Sequence, residues 1–162
     1  MRKKNHKEMI TKQEVLNIQK KWSDGLLKIA EKHLNNSDYN QEAINFIESL
    51  YAYNLGEVLF KPTLASDSQF RLDQESALSY FIGANENYPE DIGFALKGWT
   101  NIRWENAGIQ IFSDCAIAMG NYYFLDKKMV TELKIEFSVV CKKDLSGVLK
   151  MVLHDSHLPY QK

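Results

Sequence analysis

The sequence predicts an α+β fold: about three helices packed in the concave face of a cone-shaped, curved antiparallel sheet. Three observations predict it. Apolar residues recur at spacings of three and four through the first half of the chain. After Phe94 the period changes to alternation. The breaks between the alternating segments are short, as in a meander of antiparallel strands. Helices first and a meander second is the α+β arrangement, with the helices on one face of the sheet.

Residues 1–10 carry Arg2, Lys3, Lys4 and Lys7 and read as a flexible basic amino-terminal segment, not a nucleic-acid arm. Thr11 with Glu14 three residues on is a capping-box signature. It opens a helix over about Thr11 to Leu34, whose stripe is Val15, Ile18, Trp22, Leu26, Ile29 and Ala30. Asn35-Asn36-Ser37-Asp38 ends it, and Ser37 or Asp38 caps a second helix over about Tyr39 to Tyr53. The buried stripe of that helix is Ala43, Ile44, Ile47, Leu50 and Tyr51. Val58 to Lys61 is a short strand broken by Pro62. Gln74 to Ile82 forms a third helix, stopped by Gly83.

Four strands follow, at about Lys97–Ile111, Cys115–Leu125, Val130–Lys142 and Val148–His157. Asn106 and Gly108 inside the first predict a bulge that curves the sheet. Ala116, Ala118 and Gly120 share one face of the second, where a bulky element can approach. Cys115, Ile117, Met119 and Tyr123 share the other face. Left open to water, that face is a large apolar patch, so a homodimer pairing sheet against sheet is expected. Trp99 and Trp104 read as core or dimer contacts.

At 162 residues the chain can bury a real core as one domain, expected over residues 11–160. A net charge of −1 gives no field for nucleic acid. No apolar run is long enough for a membrane helix, and none follows the basic start as a secretory signal would. Cys115 and Cys141 lack CxxC spacing and read as buried thiols of a reducing, cytoplasmic compartment, and no zinc-ligand spacing is present. No cofactor is implied: a phosphate-cradling glycine loop and paired carboxylates at helical spacing with histidines are both missing.

The chemistry concentrates at the end of the last strand. Alternation puts Val148, Val152, His154 and Ser156 on one face and Leu149, Met151, Leu153, Asp155 and His157 on the other. His154 and Ser156 together could position and deprotonate a water, or be two satisfied polar residues of a strand end. Asp155-Ser156-His157 is not a catalytic triad, because neighbouring strand residues point oppositely; Asp155 and His157 share a face and can pair. Phe60-Lys61-Pro62-Thr63 holds Thr63 at a proline-enforced turn. Tyr80, among apolar helix neighbours, reads as a core tyrosine whose hydroxyl finds a partner at the rim.

Several longer strings carry a resemblance: Glu57-Val58-Leu59-Phe60-Lys61-Pro62-Thr63-Leu64-Ala65-Ser66, Ala77-Leu78-Ser79-Tyr80-Phe81, Ala116-Ile117-Ala118-Met119-Gly120-Asn121-Tyr122-Tyr123-Phe124 and the closing Val152–Tyr160. They resemble the iota-class carbonic anhydrase family, within the nuclear-transport-factor-2-like (SnoaL-like) superfamily, across about Glu14 to Tyr160. The resemblance implies a cystatin-like roll and metal-independent hydration of carbon dioxide to bicarbonate in the cone pocket. It implies Thr63, Tyr80 and Ser156 as the groups that orient water and carbon dioxide, with His154 accepting or relaying the proton. Lys61, Phe60 and Tyr122 complete the expected substrate-binding set. The family's closing motif reads His-His-Ser-Ser-x-Pro, where this chain has His154-Asp155-Ser156-His157-Leu158-Pro159. Both departures fall on the face opposite His154 and Ser156. The competing readings are a SnoaL-like domain for another small ligand, and a non-catalytic oligomerisation module like the association domain of calcium/calmodulin-dependent kinase II.

Overall fold

Local signals and long-range packing agree over most of the chain. The computed structural model describes residues 9–128 and 130–162; the basic cluster Arg2, Lys3, Lys4 and Lys7 lies outside the described residues. Helix α1 (Lys12–Leu34) opens on the expected capping box: the Thr11 side chain accepts from the Glu14 amide, and the Glu14 carboxylate accepts from the Thr11 amide. Asp38 caps α2 (Tyr39–Leu50), and Asp73 caps α3 (Gln74–Ile82). Strand β1 is Leu59–Lys61. The meander is β2 (Trp99–Ile111), β3 (Ala116–Asp126), β4 (Leu133–Lys143) and β5 (Leu149–His157).

The sheet order is β1-β5-β4-β3-β2. The meander is antiparallel as expected, but β1 lies parallel to β5, so the sheet is mixed. The long excursion through three strands carries the chain back beside β1 in the same direction. Two boundaries also move. Gly98 at φ +82° and the short helical turn Phe94–Leu96 delay β2 to Trp99. Strand β4 begins at Leu133, after Val130. Helix α2 stops at Leu50, and Tyr51 is extended and bridges to Met151 of β5.

The register shifts at three places in the sheet, at Thr100 and Ala107 of β2 and at Val152 of β5. In β2 the register skips Ala107, between Asn106 and Gly108, as the sequence suggests. Gly120 of β3 sits against this bulge, and a Cβ there would collide with the Glu105 carbonyl. In β5 the register skips Val152: Val140 pairs with Leu153 and Cys141 with Met151. This bulge resets the alternation. Met151, His154 and Ser156 share the buried face, so the expected grouping of Val152 with His154 fails.

Helix α1 crosses α2 and β2, and Trp22 sits at the centre of the core. Its ring meets Phe46, Trp104, Tyr122, Phe124 and His154 at centroid distances of 5.6–6.1 Å. Along β3, Ala116, Ala118, Tyr122 and Phe124 face the helices, while Ile117 and Met119 are 40% and 57% exposed on the outer face. Trp99 is core, and Trp104 packs at its edge, its indole donating to the Ser23 hydroxyl.

Candidate active site

The hollow of the cone is small and lined by side chains from seven parts of the chain. Trp22 comes from α1, Phe60 from β1, Pro62 and Thr63 from the turn after it, Tyr80 and Phe81 from α3, Phe94 from the short helical turn, Tyr122 from β3, and His154 and Ser156 from β5. The space open to the centre of a water molecule is about 10 Å³. That is room for roughly one water-sized molecule.

Each polar side chain is held by a traceable local cause. Pro62 ends β1 by removing a donor, which turns the chain and brings the Thr63 hydroxyl 2.6 Å from the Ser156 hydroxyl. The Tyr80 hydroxyl lies over the same turn and accepts from the Leu64 amide at 3.3 Å. It also interacts with the Thr63 hydroxyl. Burial pushes the Tyr80 and Tyr122 phenols well above their ordinary range, so both stay protonated and act as neutral hydrogen-bonding groups.

His154 is 1% exposed and packs parallel to Phe60, at 5.3 Å between centroids and 21° between planes. Its Nδ1 lies 2.9 Å from the Tyr51 hydroxyl and its Nε2 3.2 Å from the Tyr122 hydroxyl. Burial lowers its pKa to about 3. The imidazole is therefore neutral through physiological pH. With a phenol hydroxyl at each ring nitrogen, its geometry is that of a hydrogen-bonding link between Tyr51 and Tyr122.

The structure brings His154, Ser156, Thr63, Tyr80, Tyr122 and Phe60 to one hollow. Lys61 is the exception. Alternation along β1 turns it away from the face that carries Phe60, and its ammonium donates to the Ser156 carbonyl at 3.3 Å instead of lining the hollow. Asp155 and His157 lie on the outer face, 3.6 Å apart, with the His157 Nε2 a further 2.9 Å from Glu136. Their departure from the family motif leaves the inward pair in place.

Sequence reading missed Tyr51. Four residues after Ile47, it fits the helical stripe of α2, and nothing local marks it as the residue at which the helix unwinds. Trp22 lies in the core, as its place in the α1 stripe predicts, and its indole NH donates to the Tyr51 hydroxyl 2.8 Å away, a contact that only the fold brings about. Among the described residues no three histidine, cysteine, aspartate or glutamate side chains converge as metal ligands would.

The sequence profile of the metal-independent carbonic anhydrase family matches residues 13–158. The chain belongs to that family. A metal-independent carbonic anhydrase of Nostoc sp. (strain PCC 7120) is 38% identical over 156 residues, which cover 94% of this chain and 75% of the relative. The crystal structure of a cyanobacterial iota-carbonic anhydrase complexed with bicarbonate superposes with a TM-score of 0.91, at 36% identity over 95% of both chains. Two nuclear-transport-factor-2-like structures share the fold at 11% identity. One is a putative dehydratase of Streptomyces avermitilis (TM-score 0.56, covering 92% of this chain and 96% of that one). The other is a protein of unknown function from Pseudomonas putida KT2440 (TM-score 0.59, covering 95% and 92%). The family match thus carries both the superfamily fold and, among its relatives, a bicarbonate complex. No described helix is long and apolar enough to cross a membrane.

Proposed function

We propose that the chain hydrates carbon dioxide to bicarbonate without a metal, in the hollow bounded by Thr63, Tyr80, Tyr122, His154 and Ser156, as one domain over residues 11–160. The observation that carries this reading is the size and chemistry of that hollow. Sites for drug-sized ligands and cofactors run to several hundred Å³, whereas about 10 Å³ is open here and four hydroxyl groups face it. As it stands the site admits one water; a small displacement of its walls would admit carbon dioxide, whereas a larger SnoaL-like ligand would need the core to open by hundreds of Å³.

The Thr63 and Ser156 hydroxyls hold the water that the hollow admits; carbon dioxide enters as the walls of the hollow move apart, and the Tyr80 and Tyr122 hydroxyls meet the oxygen on which charge develops as the water adds to carbon. Fixed donors in a dry site stabilise such charge strongly, since they need no reorganisation during the reaction. Water addition releases one proton. Every hydroxyl of the hollow is neutral, and each can accept one proton while giving up another, so the proton passes along hydroxyls and leaves at the half-buried Thr63 to solvent water, with bicarbonate left behind and no protein group charged. His154, with its lowered pKa, holds Tyr122 in place instead of storing the proton.

Two further points belong to this reading. A homodimer through the sheet is supported by the exposed Ile117 and Met119 on its outer face. A cytoplasmic location is supported by the two free cysteines, Cys115 and Cys141. The testing experiment is stopped-flow carbon dioxide hydration by wild type, Thr63→Ala and Ser156→Ala, each with its melting temperature. Loss of hydration with melting retained supports the proposal. Parallel loss of both would make the two hydroxyls structural, and a wild type no faster than buffer would end the proposal.

A further inference from the structure

The hydrogen bonds around His154 form a chain with a fixed end. Trp22 Nε1–H can only donate, and it lies 2.8 Å from the Tyr51 hydroxyl oxygen. Tyr51 in turn meets His154 Nδ1 at 2.9 Å, and His154 Nε2 meets Tyr122 at 3.2 Å. Trp22, Tyr51, Tyr122 and His154 are each no more than 2% exposed. Tyr51 does not line the hollow.

A phenol has one proton. The Tyr51 oxygen already receives the indole proton, so its own proton goes to its other polar partner, His154 Nδ1. A neutral imidazole that accepts at Nδ1 carries its proton on Nε2 and donates it to the Tyr122 oxygen. With that oxygen accepting, the Tyr122 proton turns toward the Ser156 and Thr63 hydroxyls, with which it interacts in the hollow.

We infer that Tyr51, oriented by Trp22, is a positioning residue: it fixes His154 as the Nε2–H tautomer and thereby makes Tyr122 a donor into the hollow. The hollow then offers a proton to an oxygen-bearing ligand. With the opposite polarity Tyr122 would spend its proton on Nε2 and offer only a lone pair, the wrong sign for an oxygen gaining negative charge. The opposite polarity also strands the Tyr51 proton, buried and unpaired, which disfavours it roughly 10- to 100-fold. Only the catalytic consequence rests on the proposed hydration; the tautomer itself does not.

The test is long-range proton–nitrogen NMR of the imidazoles in the full chain at pH 7.5. In wild type the His154 ring should be Nε2–H in at least about nine molecules of ten. In Tyr51→Phe both tautomers leave Nδ1 without a partner, so the discrimination shrinks and the Nδ1–H form should rise several-fold. In Tyr122→Phe the Tyr51 end is untouched, and Nε2–H should remain the major form. Wild type in the Nδ1–H form would overturn the inference. So would a ring that inverts in Tyr122→Phe but not in Tyr51→Phe. If Tyr51→Phe fails to fold, wild type and Tyr122→Phe still decide. Nε2–H in a chain with no hydration activity would refute the proposed function and leave this inference standing; Nδ1–H in an active chain would do the reverse.

Discussion

Acidification should destabilise this protein through one buried imidazole, well above the pH at which its carboxylates matter. His154 is fully buried and its pKa falls from an ordinary 6.5 to about 3 in the fold. Below pH 6.5 the unfolded chain binds a proton at this residue and the native state does not, so stability rises with pH. The contribution of the neutral ring is complete above pH 6.5 and is lost as pH falls from 6.5 toward 3. At pH 5 the unfolded state is 1.5 pH units below its own pKa, and at 1.36 kcal/mol per unit the loss is about 2 kcal/mol. For a chain of this size that is a fall of roughly 4–8 °C in melting temperature. The Glu90 carboxyl, held down by the Asp67 backbone amide, and the Asp144 carboxyl, held down by the Ser146 hydroxyl, lose their stabilisation only at lower pH. The assay is urea unfolding of wild type and His154→Gln at pH 7.5, 6 and 5. The difference between the two proteins isolates this residue from the other histidines. It should shrink by about 2 kcal/mol between pH 7.5 and 5. A difference that does not change with pH would refute the reasoning, because it would mean the ring is protonated as easily inside the fold as outside it.

Four other outcomes follow from named contacts. Thr63→Ala and Ser156→Ala should each lower the hydration rate by about 100-fold, the usual cost of one preorganised polar group, with melting within a few degrees of wild type. Arg71 is fully buried and bidentate to Asp91 at 2.7 Å through both terminal nitrogens, so Arg71→Met should cost about 3–5 kcal/mol by leaving the buried Asp91 charge with no counter-charge on it, only the Ser79 hydroxyl; denaturant melts measure it. Gly120→Ala should cost about 1–3 kcal/mol, since the obstructing Glu105 carbonyl belongs to a paired strand and cannot move aside; a melting temperature equal to wild type would contradict that packing. Met119→Glu should shift the chain toward monomer in light scattering while leaving hydration intact, and an unchanged mass would end the sheet-face dimer.

The helices and the meander were legible in the sequence because each announces itself locally. Thr11 and Glu14, Asp38, and Gly83 mark ends through the hydrogen bonds that helix termini need, and the structure places them there. The bulge near Gly108 was legible too, since a glycine inside a strand is costly without a reason. What could not be read depends on partners distant in sequence. The parallel pairing of β1 with β5 joins residues some 90 positions apart, and nothing in Leu59–Lys61 specifies it. The β5 bulge at Val152 hides in a run of apolar residues, where every register looks equally good. Convergence of Thr63, Tyr80 and Ser156 came from resemblance; strand alternation kept His154 and Ser156 together only because both lie beyond the bulge. Tyr51 stayed hidden because it reads as one more turn of α2.

The most direct measurement is oxygen-18 exchange between carbon dioxide and water, followed by mass spectrometry on chelator-treated protein. A metal-independent hydroxyl site predicts exchange well above the buffer rate, unchanged by the chelator and lowered about 100-fold in Ser156→Ala. Exchange that disappears with the chelator, or that survives the loss of the Ser156 hydroxyl undiminished, would contradict the account.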